Sequence, residues 1–186
     1  MSELTQAFIA HLSNLNEHDR GAFAHLKRSL GFEPGAYVLG YPYVERFVGA
    51  DKHANDPWRK ALYLTAGLYA FHPQHSPDTS LAAAFGRLAR ERGSGSLEHR
   101  FIALLGAESE SLPSLLRQMV SLLNADGIGC DYASLLDDLA RWFGALDTSD
   151  EQRRDWVRQQ WARDFYRAYE PPRELTTSSP NNEPAS

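Results

Sequence analysis

The chain has 186 residues and carries 19 lysines and arginines against 24 aspartates and glutamates, a formal net charge of -5. That length fits one domain or a small pair of domains, and a composition of 42% apolar residues excludes a disordered or collagen-like chain. The acidic balance also excludes a histone-like protein that coats nucleic acid over its whole surface, although it leaves a local basic face open.

The cellular compartment follows from two absences in the sequence. No apolar run approaches the roughly 18 to 20 residues that span a bilayer, and the first residues lack the positive start and cleavage site of a signal peptide. The single Cys130 can form neither an internal disulfide nor a multi-cysteine zinc site. We therefore expect a cytoplasmic protein with no membrane partner.

Helical spacing of apolar residues runs through almost the whole chain, and no stretch alternates as a half-buried strand does, so the sequence predicts an all-α fold. The first helix follows Ser2 and the second follows Asp19, both suitable N-caps, and Gly31 stops the second. Their apolar stripes are Leu4, Phe8, Leu12 and Leu15, then Phe23, Leu26 and Leu30.

The middle of the chain begins with a loop over residues 32–56, which holds a short helix near Pro42–Val48. Asp56 and Pro57 then predict a helix start, an N-cap followed by proline at the first helical position. That helix ends before Pro73. The next one begins near Asp78 or Thr79 and stops at Gly93.

Three further helices follow residues 93–96, a Gly-Ser stretch that is flexible by composition. The first helical stretch runs to Gly127, the next is capped by Asp131 and ended by Gly144, and the last covers roughly 149–169. Aromatic residues at helical spacing on the last helix predict a core stripe in preference to a base-stacking surface: Trp156, Trp161, Phe165 and Tyr169. Together these elements predict a helical bundle of two small subdomains, residues 1–92 and 97–170, followed by a disordered tail at 171–186.

Catalytic motifs are absent from the sequence. His72 and His75 are three residues apart, but Pro73 places them in a loop, and only Asp78 lies close enough to add a ligand. There is no zinc-protease, nucleophile-elbow or phosphate-loop motif. We predict no enzymatic activity, no cofactor and no metal, and a metal enzyme built on these three residues is the weakest hypothesis.

Charge is distributed unevenly along the chain. Residues 1–19 sum to -3, residues 20–117 carry 12 basic against 9 acidic side chains, or +3, and residues 118–186 carry 7 against 12, or -5. Of the 19 cations 16 are arginine, whose planar fork suits phosphate. An excess of arginine over lysine also follows from genomic base composition alone.

The basic residues of the middle segment lie off the apolar stripes. Lys27-Arg28 and Arg59-Lys60 are expected to face solvent, Arg87 and Arg90 are neighbours on one helix surface, and Arg92 follows them. Such cations could form a groove that follows phosphates without reading bases, or a scattered solvated surface with salt bridges. The candidate nucleic-acid-binding residues are Lys27, Arg28, Arg59, Lys60, Arg87, Arg90, Arg100, Arg117 and Arg141.

Three segments form a distinctive pattern: residues 99–105 (HRFIALL), Leu115-Leu116-Arg117, and residues 131–139 (DYASLLDDL) leading to Trp142. This pattern resembles the CasB family, the small subunit of the type I-E CRISPR surveillance complex Cascade. Residues 25–28 (HLKR), 57–62 (PWRKAL) and 161–166 (WARDFY) agree with it, so the resemblance covers roughly residues 5–167.

The resemblance implies an all-helical, non-catalytic subunit present in more than one copy and in contact with neighbouring Cascade subunits. Its basic surface would stabilise the assembly of guide RNA with target DNA and the displaced non-target strand, while guide pairing reads the sequence. The family's basic positions match best at Lys27-Arg28, Arg100 and Arg117. A helical scaffold that contacts only proteins, through arginines that meet acidic surfaces, is the alternative function.

Overall fold

Nine α-helices occupy most of the computed structural model, which describes residues 3–144 and 151–170. The all-α prediction is confirmed: the described residues contain no strand, only an isolated bridge between His75 and Cys130. The predicted N-cap at Ser2 and the predicted tail lie outside the described residues. The helices are α1 Glu3–His18, α2 Arg20–Ser29, α3 Tyr41–Val44, α4 Pro57–Phe71, α5 Leu81–Arg92, α6 Gly95–Leu105, α7 Leu112–Ala125, α8 Tyr132–Phe143 and α9 Glu151–Tyr169.

Side-chain caps begin four of these helices. Asp19, Asp56 and Asp131 accept hydrogen bonds from the backbone N–H groups of the following first turns, at 2.8, 2.9 and 2.9 Å, as predicted. Helix α5 begins slightly later than predicted, because its N-cap is Ser80, whose Oγ accepts from the Ala83 N–H at 3.2 Å. Asp78 instead lies at φ 64°, in the left-handed region.

Helix α4 runs through the centre of the core. Every residue from Ala61 to Ala70 is buried, because α2, α7 and α8 pack around the helix and the loop after α2 covers its N-terminal end. A helix enclosed on all sides is apolar all round, and α4 carries Leu62 and Leu64 on opposite faces. At its C-terminal end the buried Tyr132 hydroxyl of α8 donates to the His72 carbonyl at 2.7 Å.

Helices α5 and α9 form the most intimate helix pair. A Cβ on Gly86 would lie 2.4 Å from the carbonyl oxygen of Phe165, so only glycine permits this approach. The Phe165 ring stacks on Phe101 of α6 with centroids 4.1 Å apart. Helices from both sides of residues 93–96 therefore contact each other, and the division into two subdomains stays a prediction. No helix among the described residues is both long and apolar enough to cross a bilayer.

The predicted aromatic stripe of α9 is only partly right. Trp161 and Phe165 are buried, but Trp156 is 48% exposed. Five residues on a helix turn through about 500°, so Trp156 and Trp161 point in different directions. Val157, four residues before Trp161, takes the buried position instead.

The loop over residues 32–56 holds more regular structure than the sequence predicts. Helix α3 is flanked by 3-10 turns at Val38–Gly40 and Glu45–Phe47, close to the short helix expected near Pro42–Val48. At 93–96, Gly93 ends α5 in the left-handed conformation and α6 begins at Gly95. Ser94 alone separates Gly93 from the start of α6.

Candidate nucleic-acid interface

An open groove of about 680 Å³ lies between the end of α2, the end of α4, and helices α6 and α7. We call it the α2/α7 groove. Its lining residues are Leu30, Gly31, Phe32, Glu33, Pro34, Phe71, Arg100, Glu110, Pro113, Ser114, Arg117, Gln118, Ser121 and Leu122.

Arg100 and Arg117 reach this groove from two different helices. Arg100 directly precedes the fully buried Phe101 on α6, and Arg117 directly follows the fully buried Leu116 on α7. Each arginine therefore points outward, where its helix faces solvent. Within residues 3–144 and 151–170 neither guanidinium has a hydrogen bond or a salt bridge. Their charge is therefore available to a ligand.

Lys27 adjoins the same groove from the last turn of α2. Its Nζ lies 5.2 Å from the centroid of the Phe71 ring, which is itself part of the groove lining. Arg28 follows in the same turn and is exposed. Lys27 thus lies against the groove that Arg100 and Arg117 line, and these three are among the positions at which the family resemblance is strongest.

Acidic and aromatic side chains complete the groove. Glu33 and Glu110 line it together with Arg100 and Arg117, so the two negative charges of the lining balance its two positive charges. Lys27, which lies over Phe71, gives the groove and its edge a net positive charge. Phe32 and Phe71 add apolar surface. Helical periodicity and charge patterning single out neither the two acidic nor the two aromatic residues. The available signal was Phe32, a large aromatic directly after the Gly31 that ends a helix.

Arg59 is buried, so the prediction that it faces solvent is wrong. The residue is 7% exposed, and its Nε and Nη2 donate to Glu45 Oε1 at 3.1 and 2.7 Å. The guanidinium lies over the rings of Tyr41 and Tyr63, at 5.3 and 4.8 Å from their centroids. The periodicity of α4 could not show this, because the covering residues come from the loop.

The Arg59 cluster fastens the loop to α4. Its Nη2 donates to the Gly35 carbonyl at 3.3 Å, and the Tyr41 hydroxyl donates to the same oxygen at 3.0 Å. Gly35 has φ +89°, and a Cβ there would lie 2.2 Å from Arg59 Nη1. Because Glu33 and Pro34 precede Gly35 directly, Arg59 holds one wall of the α2/α7 groove from behind.

The other predicted cations lie away from the groove. Arg90 donates to the Ala168 carbonyl at 2.7 Å at the end of α9, and Arg141 pairs with Asp138 at 3.2 Å and lies over the Trp156 ring at 5.1 Å. Lys60 and Arg87 are half-buried on α4 and α5 and do not line the groove. Arg92, which follows Arg87 and Arg90 in the sequence, forms a salt bridge with Asp126.

The arginines of α9 have structural partners. Arg154 donates to Glu108 at 3.1 Å, and Arg158 donates to the Ala107 carbonyl and to Asp155, both at 3.3 Å. The contacts with Glu108 and Ala107 hold α9 to the loop between α6 and α7, whereas the pair with Asp155 lies within α9. Arg163 is exposed and donates to Gln159.

His72, His75 and Asp78 do not form a common site. His72 is fully buried, and its ring nitrogens lie 3.0 Å from Asn124 Oδ1 and 2.7 Å from the Ile128 carbonyl, so both are occupied by protein groups. His75 Nδ1 accepts from the Tyr132 N–H at 3.2 Å. No group of three or more metal-ligating side chains occurs in the part of the chain that the structure describes.

The described residues form an all-α bundle with an open groove of mixed charge. Comparison with known proteins gives the family: the description "CRISPR-associated protein Cse2" belongs to the family model that matches residues 22–166. A CRISPR-associated protein Cse2 from Thermus thermophilus is 42% identical over 148 residues, which is 79% of each chain. The chain belongs to the Cse2 family, which is also called CasB, as its resemblance predicts.

Solved structures agree with this assignment. The crystal structure of a Cse2-family protein from Thermus thermophilus superposes with a TM-score of 0.73 at 37% identity, covering 89% of this chain and 99% of that one. A chain from a structure described as a CRISPR RNA-guided surveillance complex has a TM-score of 0.73 at 20% identity, covering 90% and 94%. The second likeness establishes a shared fold only.

Proposed function

We propose that the protein is the non-catalytic small subunit of a CRISPR Cascade ribonucleoprotein and binds nucleic-acid backbone through the α2/α7 groove. It stabilises guide-target pairing and the displaced DNA strand in antiviral defence, in the cytoplasm. Its partners are guide RNA, target and non-target DNA, other Cascade subunits and a second copy of itself. Membership of the Cse2 family supports this role, and so does the shared fold with a chain of a surveillance complex.

One observation carries the proposal: Arg100 and Arg117 lie on different helices, line one groove and have no salt-bridge partner among the described residues. Guanidinium groups that serve stability are usually paired, as Arg59, Arg92 and Arg141 are here. Phosphate contacts of this kind position a strand without reading its sequence, so they suit a complex in which guide pairing supplies specificity.

The narrowed binding set is Lys27, Arg28, Arg100 and Arg117. Arg100 and Arg117 line the groove, Lys27 lies against its Phe71, and Arg28 is the exposed residue next to Lys27. Lys60, Arg87, Arg90 and Arg141 neither line the groove nor contact a lining residue, so they stay in the proposal only as weaker, peripheral contacts.

Titration of labelled single-stranded DNA with the Arg100→Gln/Arg117→Gln variant tests the groove. We expect weaker binding and a flatter dependence of log affinity on log salt, by about 0.7 for each phosphate that is no longer bound. Arg163→Gln removes an exposed arginine of α9 that does not line the groove, so it is the control with unchanged slope.

The same variants in the assembled complex separate the two candidate functions. Formation of the displaced-strand complex should weaken with Arg100→Gln/Arg117→Gln although the subunit is still incorporated. Normal DNA binding and an unchanged salt slope, with impaired incorporation instead, would favour the protein-only scaffold.

A further inference from the structure

The aromatic side chain of Phe32 lies where it is only partly buried, so it contributes less to the free energy of folding than a core phenylalanine does. The Phe32 side chain is 51% exposed, at the rim of the α2/α7 groove. A phenyl ring left half in water forgoes part of the free energy that full burial would give it. Phe32 shares the groove lining with Arg100 and Arg117, which connects it with the proposed nucleic-acid site.

The ring is held in one orientation by its own loop. The Phe32 N–H donates to the Ser29 carbonyl at 3.0 Å, and the backbone at Gly35 is fixed by Arg59 and Tyr41. One side of the Phe32 ring packs on Tyr37, with centroids 4.9 Å apart and planes 31° apart. Tyr37 is supported in turn by His25, whose Nδ1 lies 3.3 Å from the tyrosine hydroxyl. With this support, about half of the Phe32 side chain still faces solvent.

Charges around Phe32 indicate which part of a nucleotide fits there. Glu33 is the next residue and also lines the groove, so a phosphate beside Phe32 would be repelled. Arg100, Arg117 and Lys27 supply positive charge elsewhere on the groove. When the phosphates of a strand lie at these cations, the part of the strand that faces Phe32 is an uncharged base.

We propose that Phe32 stacks on an unpaired base of a single-stranded nucleic acid held in the α2/α7 groove. This inference rests on the proposed function and adds a preference: the groove takes strands whose bases are free to stack. Stacking on aromatic side chains tolerates every base, so it adds affinity without sequence readout. A duplex, whose bases are already stacked on each other, gains nothing from Phe32.

The test compares two labelled oligonucleotides of equal length, a thymidine strand and a strand of abasic sugar-phosphate units. Wild-type protein is expected to bind the thymidine strand about five- to tenfold more tightly, the lower part of the range for one stacked base. Phe32→Ala should lose that factor on the thymidine strand and change little on the abasic strand. Its salt dependence should stay as in the wild type, because no phosphate contact is removed.

Three variants serve as references. Phe32→Trp keeps an aromatic face and should retain the preference for thymidine. Val38→Ala removes an apolar side chain, 62% exposed, from the same segment but outside the groove lining, and should alter neither affinity. Arg117→Gln should weaken both oligonucleotides equally and flatten the salt dependence. Helical circular dichroism of Phe32→Ala checks that its fold is intact.

The possible failures are distinguishable. If Phe32→Ala weakens both oligonucleotides equally, or neither, stacking is overturned while the groove can still bind backbone. If Phe32→Ala binds DNA normally but is absent from the assembled complex, Phe32 docks a protein subunit and the proposal is wrong. If wild-type protein binds neither strand at low salt, the proposed function fails as well.

Discussion

The indole Nε1 of Trp161 donates a 2.7 Å hydrogen bond to Oδ2 of Asp138, joining α9 to α8 inside the core. Asp138 is buried and its other oxygen accepts from Arg141 at 3.2 Å. Burial raises the pKa of this carboxyl to about 6, against the lowering effects of the Trp161 bond and the Arg141 charge. The folded protein therefore holds a proton here more tightly than the unfolded chain does.

This shift makes Asp138 a source of pH-dependent stability. Because the folded pKa is raised, the contribution of Asp138 is fully present below about pH 4 and is lost as pH rises to and above 6. Asp138→Asn keeps an oxygen acceptor for Trp161 and cannot ionise. We expect the free energy of unfolding of this variant to improve relative to wild type between pH 4 and pH 7, by at most about 3 kcal/mol.

Urea unfolding of both proteins at several pH values measures that difference. Asp137→Asn, at the half-buried neighbouring residue that accepts from Thr5, controls for changes of charge on α8. A wild-type and an Asp138→Asn curve that run parallel from pH 4 to pH 7 would contradict the assignment.

Replacement of Arg59 should affect stability and leave phosphate contacts intact. Arg59→Gln breaks the ion pair with Glu45 and removes one of the two donors to the Gly35 carbonyl, leaving the Tyr41 hydroxyl. Glu45 is partly exposed and can be rehydrated, so we expect a loss of about 1 to 3 kcal/mol in the free energy of unfolding. Lys60→Gln, at the next residue, should stay within about 0.5 kcal/mol.

The salt dependence of DNA binding then distinguishes Arg59 from the groove arginines. Arg59→Gln should leave the slope unchanged, whereas Arg117→Gln should reduce it. An equal reduction in both variants would restore the view of Arg59 as a phosphate ligand.

Gly86 should tolerate no side chain. Gly86→Ala would place a Cβ 2.4 Å from the Phe165 carbonyl and force α5 away from α9, at a cost of about 1 to 3 kcal/mol that exceeds the helix-propensity gain of up to about 1 kcal/mol. Gly95→Ala is the matched control, since nothing lies within 4 Å of its added Cβ. Thermal unfolding should show a lower Tm for Gly86→Ala and no decrease for Gly95→Ala. Equal Tm values for the two variants would argue against the close helix contact.

Cys130 should be unreactive in the folded protein. Burial raises the pKa of its thiol to about 12, and the side chain is fully enclosed. A thiol reagent such as DTNB should label it only after unfolding in urea. Rapid labelling of the native protein at pH 7.5 would show that the structure around the bridge between His75 and Cys130 opens readily.

Local signals account for the parts of the fold that the sequence predicts well. The caps at Asp19, Asp56 and Asp131 and the left-handed stop at Gly93 depend on a few neighbouring residues, so they can be recognised before any tertiary structure is known. The predicted burial of Trp156 is wrong because a five-residue spacing does not return to the same helix face.

The candidate site was less accessible to sequence reasoning. In the sequence, Arg59 and Lys60 are two basic residues beside the same apolar stripe. Only the loop packed over α4 makes them different, because it buries Arg59 against Glu45 and leaves Lys60 half-buried. The sequence identifies Arg100 and Arg117, but their shared groove depends on how α6 and α7 cross α2. Phe32 carries no periodic signal, since it lies in a loop whose course is set by distant contacts.

The close pairing of α5 with α9 has a consequence for synthesis of the chain on the ribosome. Phe85 and Gly86 are made early, but Phe165, which covers them, belongs to the last described helix. Until α9 has left the exit tunnel, the apolar face of α5 has no permanent cover and depends on chaperones or transient contacts to stay out of aggregates. A nascent chain that stalls between α8 and α9 therefore leaves the surface of Phe85 and Gly86 without its α9 partner.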